Sequence, residues 1–553
     1  MTVKTTEGRD PKKSFNGEPQ KEYRHLFWLA FALLVISIVS VAAIFWIFAH
    51  PYGVNWDEAH YINRLYRDVN KFQTGGWTEL IRILFQEDVA RPPALRLFVL
   101  PLTLPLGVTP FFARLISLGF LGITLGVIFQ ATQQISDHSA GAFAAICLGV
   151  SPIIVAVSMR FYMEYALYFC VAVMMYFLFR DWGQPKTSTL SWIGLGVAMG
   201  FGMLTKVSFA FVAAPVWFGA CFFSWRKQAS LNLDALVKAA VVALVVLTPW
   251  WAVNFRAALS YALFAGSYVD HSLGPLNSPL TWGKWLTVFY QTVTGPALFW
   301  LIAAILGTAL VKRFRQQLSL SPAQQTALWL CWIGALASPT LSFFGSNHNP
   351  RLITPSLLPF AIAVGVLASV TGWTRQRWLS AIAAGSITFQ CLVLVSPSPG
   401  APLYKVGDHA SKNLLWGNPT SVMRRQDLWD WSQLKSLCDT HGLTNPNIAY
   451  LGDGGELSPT QIQFPWVIAG KAIKVEALWR SASRSISVED LIRSAADKDV
   501  IITAPDWEQG KNPYNSEFAR VAPQLLSDWT ETELILGDIK PTRILVLLHV
   551  KNA

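Results

Sequence analysis

The chain has 553 residues, 52% hydrophobic and 14% charged, with a mean hydropathy of +0.37. A soluble protein carries about 25% charged residues, so these figures exclude disorder, a coiled coil, a collagen-like chain and a simple soluble enzyme, and point to a polytopic membrane protein. The 44 basic and 33 acidic residues leave a net charge of +11, which in a membrane protein reports loop positives and topology rather than a nucleic-acid partner.

Residues 1–25 are polar and read as a cytoplasmic tail. Leu26 to Ala49 is apolar throughout, too long for a signal-peptide core and without a small-x-small cleavage site, so it is expected to be an uncleaved first transmembrane helix. Further apolar runs at 110–132, 139–157, 159–179, 189–205, 207–225, 236–254, 288–311, 325–345, 352–371 and 377–396 predict about 11 spans (11–13). The run 94–107, interrupted by Pro101 and Pro105, reads as a short span or a re-entrant segment. With that run not crossing, the cytoplasmic loops carry Arg180 and Lys186, then Arg226, Lys227 and Lys238, then Lys312, Arg313 and Arg315, then Arg375 and Arg377. All but the short turn at Asp137–His138 are positive, as the positive-inside rule requires.

This orientation places the loops 50–109 and 255–287 and the tail 400–553 outside, so the chain divides into a cytoplasmic tail, a membrane domain (26–399) and a C-terminal region. That region regains charge. Helical patterns at Arg424–His441, Val488–Lys498 and Phe518–Asp528 alternate with strand patterns at Asn447–Leu451, Val500–Thr503 and Arg543–His549, predicting a small extracytoplasmic α/β domain. Five of the cysteines Cys147, Cys170, Cys221, Cys331, Cys391 and Cys438 lie in apolar stretches and none forms a CxxC pair, so neither a disulfide framework nor a zinc site is expected.

Chemistry concentrates at the outer ends of the spans. Asp57 and Glu58 follow the first helix. Paired carboxylates there suit a general base acting on a hydroxyl, or simply a helix N-terminus, where the dipole favours acids. Arg91, stiffened by Pro92 and Pro93, suits bidentate phosphate binding or snorkelling at the interface. Glu164 sits in an apolar helix and needs a cavity or a partner; Arg160, four positions earlier, offers a plain structural pair on one helix face. Lys206 reads as a boundary cation that either lines a cavity or anchors a helix. Asn347–Arg351 is a tight outer loop in which Arg351 could meet an anionic headgroup or serve as an anchor, and His348 is an ordinary loop polar group. Gly194, Gly196 and Gly200 lie in an apolar helix with no strand before them and fit close helix packing better than dinucleotide binding. Gly452-Asp453-Gly454-Gly455 reads as a turn.

Taken in order, these features resemble the GT-C glycosyltransferase superfamily, in its branch of protein O-mannosyltransferases and aminoarabinose (lipid A) transferases. The resemblance covers about residues 26–371. It rests on Asp57-Glu58, on Arg91-Pro92-Pro93-Ala94-Leu95, on Phe112-Ala113-Arg114-Leu115-Ile116-Ser117, on Ser151-Pro152 through Arg160 to Glu164, on Leu204-Thr205-Lys206, and on Arg351 with Pro355 and Pro359. Arg91 stands where that family commonly has lysine or histidine, and Glu164 where aspartate is frequent.

The resemblance implies a GT-C membrane fold in a bacterial cytoplasmic (inner) membrane. It implies an inverting transfer of one sugar from a polyprenyl-phosphate lipid to a lipid, glycan or protein hydroxyl outside the cell. Asp57 would take the hydroxyl proton, Glu58 would orient acceptor or sugar, and Arg91 and Arg351 would hold the departing phosphate. Glu164, Arg160, Lys206, His348 and Tyr61 would shape the cavity. No cofactor is required; a divalent metal, which some relatives bind, is not called for by these residues. Two alternatives remain at this point. A lipid-linked glycan ligase or polymerase would carry its arginines in a large later outer loop. A transporter would show internal repeats and midplane helix breaks.

Overall fold

The computed structural model of the chain describes residues 18–50, 54, 56–86, 89, 91–182, 184, 186–226, 232–267, 279–344, 349–395, 429–451, 457–471, 473–479, 487–504, 520–521, 529–537 and 541–549. The first helix, α1 (Glu18–Ala49), is followed by α2 (Trp56–Gln86), α3 (Ala94–Leu106), α4 (Pro110–Ile135), α5 (His138–Gly149), α6 (Pro152–Ser158), α7 (Met163–Phe179), α8 (Thr189–Thr205) and α9 (Ala210–Trp225). The bundle continues through α10 (Leu233–Ser267), α11 (Pro279–Val288), α12 (Pro296–Phe314), α13 (Pro322–Phe344), α14 (Leu357–Thr371) and α15 (Arg377–Val395).

Every predicted apolar run coincides with helix, but not every run is one straight span. Seven of the described helices are long and apolar enough to cross a membrane, eight if α5 and α6 count as one. The run 139–157 breaks into α5 and α6 at an angle of 68°, because Ser151 is extended and Pro152, at the first position of α6, has no N–H to offer the preceding turn. The run 159–179 becomes helical only at Met163, and the run 288–311 is divided by a π-helical turn at Phe289–Thr294 before α12 starts at Pro296. The segment 94–107 is a short helix with both prolines inside it.

The segment 50–109, read as an outer loop, is mostly helix among its described residues. In α2 the buried Ala59, Ile62, Leu65 and Val69 recur at helical spacing, so one apolar stripe was hidden among polar residues. Gly76, at φ 62°, kinks this helix in a backbone region that costs other residues strain. The buried Asp68–Arg96 pair ties α2 to α3, with Arg96 Nε donating to Asp68 Oδ2 at 2.5 Å. Helix packing explains the glycines at 196 and 200: a Cβ there would lie 2.4 Å from the Ala239 carbonyl oxygen and 2.6 Å from Val246.

The C-terminal region is a five-stranded sheet, β1 (Asn447–Leu451), β2 (Lys474–Trp479), β3 (Val500–Thr503), β4 (Thr530–Leu536) and β5 (Thr542–Leu548), in the order β2-β1-β3-β5-β4. The strands β2, β1 and β3 run parallel, and β5 and β4 add antiparallel. Alternate residues feed two cores. Ile448, Tyr450, Val500 and Ile502 pack beneath α16 (Ser432–Thr440), α17 (Pro459–Ile462) and α18 (Phe464–Ile468), whereas Ala449, Leu451 and Ile501 pack against α19 (Val488–Ala495). The strands β2 and β4 carry no clear apolar alternation and escaped the sequence reading. The predicted helix at Phe518–Asp528 lies largely outside the described residues, as does the glycine turn at 452–455. All six cysteines are free thiols.

Candidate active site

Asp57 and Glu58 occupy the first turn of α2, where unsatisfied N–H groups favour carboxylates. Successive helical residues point about 100° apart, and these two face different surroundings. Glu58 turns inward. It and Arg114 of α4 are 0% exposed, joined by parallel hydrogen bonds from Arg114 Nε at 2.7 Å and Nη2 at 2.8 Å. The Phe161 amide donates to Glu58 Oε1 at 3.1 Å, and Arg114 also donates to the His50 carbonyl. Burial raises the Glu58 carboxyl, but the charge and hydrogen bonds of Arg114, with Arg160 and the Phe161 N–H, hold it below its ordinary value. Glu58 is thus enclosed by Arg114 and the Phe161 amide, and the pair ties the start of α2 to α4.

Asp57 turns outward and stays 40% exposed. It accepts a hydrogen bond from Arg351 Nη2 at 2.7 Å. Burial raises its carboxyl too; the charge and hydrogen bond of Arg351, then the charges of Lys206 and Arg91, outweigh this and leave it below its ordinary value. Arg351 is the second residue of the 3₁₀ turn Pro350–Ser356, its amide donating to Asn349 Oδ1 at 3.0 Å and its carbonyl accepting from Thr354 at 2.6 Å. Its guanidinium lies 4.9 Å from the Tyr162 ring.

Arg91 enters from the turn before α3. It is in hydrogen-bond contact with His60 Nε2, donates to the Tyr261 hydroxyl at 2.9 Å, and stacks 4.9 Å and 5.9 Å from the Tyr261 and Tyr61 rings. Burial, and then the charge of Asp57, push the Tyr61 hydroxyl well above its ordinary value, so it remains a neutral donor. Glu164, in the first turn of α7, accepts from Lys206 Nζ at 2.9 Å; Lys206 sits just beyond α8 in extended conformation.

Glu164 pairs with Lys206, and Arg160, the alternative partner, does not share its helix. Met159–Tyr162 lies between α6 and α7, so the four-residue spacing carries no common helix face; Arg160 lies 5.9 Å from the Trp46 ring and its charge acts on Glu58. His348 is outside the described residues. Among the described residues, Asp57 is paired with Arg351 and Glu164 with Lys206, and the charges of Lys206 and Arg91 also act on Asp57. Among the described residues no three His, Cys, Asp or Glu side chains gather as a metal-ligand set. Two contributors were missed as site residues. Arg114 had a signal, since a charge inside an apolar helix needs a buried partner. Tyr261 had none, being an ordinary tyrosine 170 positions from Arg91.

Residues 90–252 match the family model described as dolichyl-phosphate-mannose-protein mannosyltransferase; this segment includes Arg91, Arg160, Glu164 and Lys206 but not Asp57 or Arg351. An undecaprenyl phosphate-alpha-4-amino-4-deoxy-L-arabinose arabinosyl transferase of Pseudomonas fluorescens is 27% identical over 204 residues, 35% of this chain. The aligned part spans 32% of that relative. ArnT from Cupriavidus metallidurans in the apo state superposes with a TM-score of 0.56 at 13% identity, covering 94% of this chain and 98% of that one. The same enzyme bound to undecaprenyl phosphate gives 0.52 at 14% identity, covering 95% and 98%. Residues 90–252 are thus similar to the mannosyltransferase family model, and the chain as a whole shares the fold of ArnT.

Proposed function

We propose that the chain is an integral-membrane inverting glycosyltransferase that moves one sugar from a polyprenyl-phosphate lipid to a hydroxyl acceptor at the extracytoplasmic face of a bacterial inner membrane. The reading is carried by one observation: Asp57, partly open to solvent, pairs with Arg351 at 2.7 Å and feels the charges of Lys206 and Arg91. Asp57 is ionised at neutral pH, but its ion pair makes it a weak base. A donor phosphate competes for Arg351 and, with Arg91, is neutralised as the glycosidic bond breaks and its charge rises. Freed of that pair, Asp57 regains basicity and takes the proton of the attacking hydroxyl. The Lys206–Glu164 pair and Tyr61 wall the cavity. The loop positives support a cytoplasmic N-terminus and an outer C-terminal domain. Arginines suffice to neutralise one phosphate, so the reading requires no divalent metal.

Mass spectrometry of lipid co-purified with the full-length protein tests the proposal. A polyprenyl-phosphate sugar is expected, and its mass names the sugar. Retention of nucleotide sugar or diphosphate-linked oligosaccharide instead would reject the donor class.

A further inference from the structure

The C-terminal domain grips α2 on either side of the acidic turn, through contacts the transfer chemistry does not use. Gln461 of α17 donates through Nε2 to the Val54 carbonyl at 2.6 Å, across 407 positions of chain. Gln461 and Val54 are 2% and 4% exposed. The amide of Gln461 is itself oriented, because Ser458 Oγ donates to its Oε1 at 2.8 Å. Further along α2, Asn63 Nδ2 donates to the Thr460 carbonyl at 3.1 Å. Phe464 packs with Val54, Ala59 and Ile62, while Ile462 and Trp466 are buried in the sheet's own core. The segment 458–466 is thus anchored at once in the α/β domain and on the start of α2, and Val54 precedes Asp57 by three residues.

We infer that Gln461 is a positioning residue for the transfer reaction: the C-terminal domain clamps the first turn of α2 and thereby sets the direction of Asp57. This rests on Asp57 being the base. Loss of the clamp loosens a turn that has to present its carboxylate accurately, and a misplacement of about 1 Å costs on the order of a hundredfold in rate.

The test uses the full chain in lipid nanodiscs. Gln461→Met keeps side-chain length and volume but removes the donor. Hydrogen exchange over residues 54–63 is expected to accelerate about tenfold, with the strands of the sheet unchanged; unaltered exchange in 54–63 overturns the clamp. With undecaprenyl-phosphate-linked aminoarabinose as donor probe and lipid A as acceptor probe, kcat is expected to fall at least tenfold while donor KM stays within twofold. Wild-type kcat, or a loss confined to KM, overturns the positioning role. Asn63→Leu removes the second contact from the α2 side and is expected to give the same split and the same exchange change, which keeps the inference testable if Gln461→Met fails to accumulate. Asp57→Asn separates the two levels. An active Asp57→Asn chain rejects the base assignment whatever Gln461 does, whereas an inactive one beside a fully active Gln461→Met chain rejects the clamp alone.

Discussion

Asp57 and Glu58 are neighbours, and each meets an arginine. Yet the Asp57–Arg351 pair is 40% and 22% exposed, and the Glu58–Arg114 pair is closed to solvent. The difference separates two uses of one chemistry. A buried bidentate pair is locked, because separating it leaves a charge in low dielectric. An open, single-contact pair is exchangeable, since water and an incoming anion compete for the arginine at little cost. The core side of this turn fixes α2, and the other side leaves a carboxylate and a cation partly open to solvent.

The largest effect is expected where the closed pair is broken. Glu58→Gln strands Arg114 and should destabilise the fold by about 3–5 kcal/mol, read as a steep fall in melting temperature in detergent. Replacing both residues with methionine should cost less than either single change, and a larger cost for the double change would refute the stranded-charge explanation. Asp57→Asn should do the reverse. Turnover is expected to drop by about 10²–10⁴, while stability changes by no more than about 1 kcal/mol. Comparable loss of stability in both variants would erase the contrast between the two sides.

Arg91→Ala should weaken undecaprenyl phosphate binding by roughly tenfold to a hundredfold, as expected for a lost charged hydrogen bond of about 1.5–3 kcal/mol; unchanged affinity would remove Arg91 from the phosphate site. The smallest effect concerns pH. The Asp57 carboxyl is lowered on folding, so its stabilisation is complete above the unfolded value of about 3.9 and fades only as pH falls through the lowered one. The melting difference between wild type and Asp57→Asn should therefore be flat from pH 5 to pH 8. A slope in that range would show that Asp57 titrates higher in the folded chain.

Where a residue's surroundings are set by its own neighbours in the chain, the sequence reading held. The apolar runs became helices because a span satisfies its backbone internally over about 20 residues. The strands at Asn447–Leu451 and Val500–Thr503 showed because they are buried on both faces as continuous apolar stretches. Readings failed where a local pattern had a second solution. Low hydropathy hid the amphipathic α2. A spacing of four implied a face for Arg160 and Glu164 that the break before Met163 abolished.

Membrane residence, the helical bundle, the α/β tail and the residue types Asp57, Arg91, Glu164, Lys206 and Arg351 were set by the sequence alone, since hydropathy and charge are local properties. Partner choice was decided only by the tertiary structure. It sent Glu58 to Arg114 and Asp57 to Arg351, gave Glu164 to Lys206, and brought Gln461 to Val54 over 407 positions. The physical reason is that each pairing depends on the direction of a side chain relative to an element packed from elsewhere in the chain, and rotation about one helix axis by a single residue exchanges the core for the open side.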